Sequence, residues 1–115
     1  MLTLEGLKNY GANTEEGMAR CMNNEAFYLR MVGMMAEDRH AEALEEAIGK
    51  GDLQAAFEAA HELKGTLANL ALTPALSVVT EILEPLRRRE ERADYPEGAR
   101  RVLEEMEKLR ALIRG

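Results

Sequence analysis

Apolar residues recur at helical spacing along this chain, and capping residues or glycines interrupt them at intervals. Asn13-Thr14-Glu15-Glu16 sets a capping side chain three residues ahead of an acid, which predicts a short helix over about 13–22. Asn23 or Asn24 can cap a longer helix over about 25–48. Its first half carries Phe27, Tyr28, Leu29, Met31, Val32, Met34 and Met35, apolar on nearly every side. Such a helix must be covered on more than one face, and the short first helix is the expected cover. The second half narrows to a stripe through Ala41, Leu44, Ala47 and Ile48.

Gly49-Lys50-Gly51-Asp52 stops that helix and caps the next, over about 53–70, whose core stripe is Leu53, Ala56, Phe57, Ala60, Leu63, Leu67 and Leu70. Thr73-Pro74 opens another, with Leu76, Val79, Ile82, Leu83 and Leu86 inward. Pro85 conflicts with it, since proline inside a helix costs ~3 kcal/mol. A kink there, or an end near Glu84, is therefore predicted, with 87–94 as a connection or as an extension of the helix past the kink. Pro96 opens a last helix to about 113, with Ala99, Val102, Leu103, Met106, Leu109 and Ile113 inward. These elements predict an all-α fold: an antiparallel up-down-up-down four-helix bundle over about 25–113 with a short additional N-terminal helix. Residues 1–115 read as a single domain, more than two thirds helical.

Composition agrees with the pattern: there is no Trp, and aromatic residues make up only 4%. The net charge of −6 removes the basic footprint of nucleic-acid binding, because Arg87-Arg88-Arg89 is followed at once by Glu90 and Glu91. That run reads as a solvated loop. An acidic balance also disfavours anionic membranes as partners. Cys21 is the only cysteine, so no internal disulfide can form, as in a reducing compartment. No apolar stretch approaches the ~20 residues of a membrane span, and no signal-peptide pattern opens the chain. Cytoplasm is the expected location. A monomer is the expected state, because one bundle uses up every apolar stripe.

Chemistry concentrates in His61-Glu62-Leu63-Lys64-Gly65. By helical phase His61 lies about 120° from the centre of its stripe, towards solvent, with Lys64 at the border and Gly65 further out. Neutral imidazole is a competent nucleophile, and a lysine at i+3 can meet the charge of a phosphoryl group placed on it. Glycine inside a helix costs roughly 1 kcal/mol against alanine, and clearance for such a group would explain it. Glu58-Ala59-Ala60-His61 and Glu37-Asp38-Arg39-His40 are both Glu-x-x-His pairs, the unit of di-iron bundles. A metal site needs inward ligands, however, and the phase puts Glu58 on the solvent side. His40 is expected to be partly buried with Glu37 beside it, and the Met-rich segment 31–35 to fill the core.

The stretch Ala59-Ala60-His61-Glu62-Leu63-Lys64-Gly65-Thr66-Leu67-Ala68-Asn69-Leu70 resembles the signature of the histidine-containing phosphotransfer (HPt) domain family. Gly11-Ala12-Asn13-Thr14-Glu15-Glu16-Gly17-Met18 is similar to the start of the family's first helix. Ala47-Ile48-Gly49-Lys50-Gly51-Asp52 is similar to its turn nine residues before the histidine. The likeness covers about residues 10–112. It implies a bundle that accepts a phosphoryl group on one histidine and exchanges it with the aspartate of response-regulator receiver domains, in a two-component phosphorelay fed by a sensor histidine kinase. Carried over, His61 is the phosphoacceptor, Lys64 supports the phosphate and Gly65 gives steric clearance. The receiver would supply the aspartate and the Mg²⁺, so the chain itself is expected to use no cofactor and no metal and to act as a phosphocarrier. The long bundle helix and the motif helix would form the docking face. An adaptor of the same shape that carries no phosphate is the alternative. Two positions depart from the pattern. Ala71 stands where the family usually has glycine, which predicts a different helix end, and Leu67 stands where small residues are common.

Overall fold

Helices account for 77% of the residues in the computed structural model, which describes residues 1–115 and contains no strand. In chain order they are α1 (Leu4–Tyr10), α2 (Thr14–Arg20), α3 (Glu25–Gly33), a 3₁₀ turn (Met34–Glu37), α4 (His40–Gly49), α5 (Leu53–Asn69), α6 (Thr73–Arg87) and α7 (Tyr95–Arg114). Each of α4 to α7 packs on the next, and α7 returns to α4, so four helices close a ring around the core. Leu44, Leu63, Leu67, Leu83, Leu86, Met106 and Leu109 fill its centre without solvent exposure. Leu67 therefore sits where its helical phase predicts. No helix is long and apolar enough to cross a membrane.

The expected continuous helix over 25–48 is two helices with a break. Residues 34–37 tighten into the 3₁₀ turn, and Asp38 takes an extended backbone with φ −69° and ψ 135°. Its carboxylate accepts the His40 amide proton at 2.9 Å and starts α4. The freed Asp38 carbonyl accepts from the Arg110 guanidinium of α7 at 2.7 Å. Arg110 is almost fully buried and also meets both oxygens of Glu42, at 2.7 and 2.9 Å, and Glu107 at 2.8 Å. Apolar periodicity runs straight across the break, which is why the pattern alone does not reveal it.

Two further differences concern the ends of elements. Residues 4–10 form a helix that the pattern did not predict. Thr3 Oγ1 accepts the Gly6 amide proton at its start, Gly11 at φ +112° ends it, and Leu7 is fully buried. At the other end of the bundle, α6 runs past Pro85 to Arg87 instead of stopping near Glu84. Pro85 lies in the last turn and is buried, so the lost hydrogen bond is offset in part by apolar burial. The helix closes one turn later, where Arg89 at φ +54° lets the Glu90 amide reach the Pro85 carbonyl at 3.0 Å.

Candidate functional site

The helix that carries His61 is fixed at both ends by local chemistry. Gly51 at φ +72° turns the chain after α4, and Asp52 accepts the Ala55 amide proton at 3.0 Å to begin α5. At its far end Ala71 adopts φ +55°, and the Leu72 amide bonds to the Leu67 carbonyl at 3.0 Å. Alanine thus takes the left-handed conformation that favours glycine. The cost is ~1–2 kcal/mol. Tertiary contacts help to hold the turn. The N-terminal segment satisfies three carbonyls there: Arg20 donates to Ala68 at 2.8 Å, the Tyr28 hydroxyl to Leu70 at 2.9 Å, and the Asn13 amide to Ala71 at 3.0 Å. A guanidinium at a helix C-terminus also complements the helix dipole.

On the outward side of α5, His61 and Gly65 are exposed and Lys64 is half-buried at the border, as the helical phase predicts. Neither ring nitrogen of His61 takes part in an intramolecular hydrogen bond, and none of the chain's ion pairs involves Lys64. A Cβ at Gly65 would meet nothing within 4 Å. His61, Glu62, Gly65, Thr66 and Asn69 instead line an open hollow of about 260 Å³. The missing side chain therefore serves no internal packing, and the space it leaves faces solvent beside the imidazole. A second, more apolar groove of about 420 Å³ shares Thr66 and Asn69 with this hollow and is lined further by Met31, Met34, Met35 and Leu70. Met34 is exposed and Met31 half-buried, so the Met-rich segment is only in part core filler.

The phase places Phe57 in the core stripe and the arginine run in a solvated loop; the structure brings them together at His61. Phe57 is half-buried and stacks on the His61 ring, with centroids 5.5 Å apart and planes 19° from parallel. The guanidiniums of Arg89 and Arg87 lie over the same phenyl ring, at 4.7 and 5.7 Å from its centroid. The i, i+4 spacing of Phe57 and His61 was legible in the sequence. The arginines come from the end of α6, which only the fold brings near.

His40 does not join this site. It is half-buried, and its Nδ1 lies 2.9 Å from Asp38 rather than against Glu37, which is exposed. Glu58 is exposed as well, and no three His, Cys, Asp or Glu side chains converge to hold a metal ion. The Glu-x-x-His pairs therefore do not assemble into a dinuclear site.

No curated protein and no solved structure matches the chain. A family model, that of the Hpt domain, matches residues 30–112, from the end of α3 through most of α7. That match covers the ring of four helices and the exposed histidine on α5. The chain therefore belongs to the Hpt domain family, whose general role is histidine phosphotransfer in phosphorelays.

Proposed function

We propose that this protein carries a phosphoryl group on His61 and exchanges it with the aspartate of a response-regulator receiver domain. The reading rests above all on one observation: an imidazole without intramolecular hydrogen bonds stands beside empty space at Gly65. Lys64, free of any carboxylate partner, is available to meet the phosphoryl charge one turn away. In the transfer, the lone pair of the unprotonated ring nitrogen forms the N–P bond as the aspartyl O–P bond breaks. The carboxylate leaves with its electron pair, and the phosphorylated ring gives its remaining N–H proton to solvent. Phosphoryl transfer depends mainly on positioning and charge compensation, so the few groups on this helix suffice for the acceptor side. Mg²⁺ and the aspartate belong to the receiver. The apolar groove along Met31, Met34 and Leu70 adjoins the His61 hollow and fits the centre of the docking face, with charged residues at its rim.

The test is transfer from a phosphorylated receiver domain in the presence of Mg²⁺. The protein should acquire an acid-labile, base-stable phosphate. His61→Gln should abolish the label and leave the helical circular dichroism unchanged, and Lys64→Ala should slow labelling. Equal labelling of the His61→Gln protein would refute the assignment.

A further inference from the structure

An exposed histidine on a helix ordinarily samples several rotamers, and transfer needs one nitrogen edge turned outward. Nothing bonds to either ring nitrogen of His61, so hydrogen bonding within the chain does not select its orientation. The contact that does constrain the ring is the face of Phe57, one turn earlier on α5, at 5.5 Å and 19°. Stacking covers one face of the imidazole and leaves the nitrogen edge free, the arrangement an in-line attack requires.

Phe57 is itself held from two sides. Its inner part packs against the core, while Arg89 and Arg87 lie over the ring. Arg89 is no loose surface residue. It donates to the Leu86 carbonyl at 2.7 Å at the end of α6, and to the side chain of Gln54 on α5. A continuous stack thus runs from the end of α6 through a guanidinium and a phenyl ring to the imidazole.

We infer that Phe57 is a positioning residue for phosphotransfer, fixing the His61 ring with a nitrogen presented outward, with Arg89 bracing the phenyl ring from α6. This rests on the carrier reading of His61. It assigns a role to a side chain whose apolar character alone marks it as core.

The experiment compares wild type with Phe57→Tyr, Phe57→Leu and Phe57→Met. Phosphorylation is followed with two donors, a phosphorylated receiver domain with Mg²⁺ and the small molecule phosphoramidate, and the His61 ring protons are followed by NMR. Wild type and Phe57→Tyr should show ring protons displaced upfield by the aromatic ring current and should label at similar rates. Phe57→Leu and Phe57→Met keep apolar bulk without an aromatic face. They should lose the upfield displacement and label about tenfold more slowly with both donors, the scale of one lost aromatic stacking contact. Folding of either variant is enough for the comparison, and Phe57→Tyr supplies the rescue. Wild-type rates in the Leu or Met variant, or an unchanged His61 spectrum, would overturn the positioning role. So would slowing with the receiver alone, which would make Phe57 a docking contact. A wild-type protein that takes up no phosphate on His61 from either donor would overturn the carrier reading itself and the positioning role with it.

Discussion

Replacing Gly65 by alanine should make this protein more stable and less active at once. The site lies inside the 17-residue α5, with four helical residues after it. A methyl group there would meet nothing within 4 Å, so no steric cost opposes the gain in helix propensity. That gain is about 1 kcal/mol. For a chain of this length it raises the melting temperature by about 4 °C. Transfer from a phosphorylated receiver should fall about tenfold, because the methyl group occupies space that the incoming phosphoryl group and its aspartate must enter. Gly65→Gln should keep most of the stability gain and slow transfer further. Thermal and urea unfolding followed by circular dichroism read the first effect, and a time course of phosphate uptake reads the second. A destabilised Gly65→Ala protein would show that the glycine serves packing within the chain. A stabilised one that transfers at the wild-type rate would show that the open space is not used.

Gly17 is predicted to behave in the opposite way. A Cβ there would stand 2.5 Å from the ring of Tyr28, which is fully buried and tied through its hydroxyl to the Leu70 carbonyl. Gly17→Ala should therefore destabilise by about 1–2 kcal/mol in urea unfolding, overpacking outweighing the propensity gain. Arg110→Met should cost about 2 kcal/mol at neutral pH in the same assay. This is below the full penalty for breaking a buried pair, because Glu42 and Glu107 are exposed enough to rehydrate. The hydrogen bonds from Arg110 hold the Glu42 carboxyl below the usual carboxylate range. A folded value below the unfolded one contributes stability above about pH 4.3, lost as pH falls through the folded value. The stability difference between wild type and Glu42→Gln should accordingly be larger at pH 7 than at pH 3.

Helical class, most helix boundaries, the core stripes and the outward placement of His61 and Gly65 are readable from the order of residues alone. These follow from local rules: a period near 3.6, capping side chains such as Asn13, Asn24 and Asp52, and glycine at a turn. Contacts between residues far apart in the chain come from the packing of the folded bundle. At the break, the Asp38 carbonyl accepts from Arg110, 72 residues later, as well as from its neighbour Arg39. Alanine at Ala71 holds a left-handed turn beside carbonyls bonded by Arg20, Tyr28 and Asn13. Phe57 has the spacing of a core residue, yet its ring meets an imidazole and two guanidiniums. Periodicity records which face of a helix is apolar; what covers that face is set by elements whose approach no local pattern encodes.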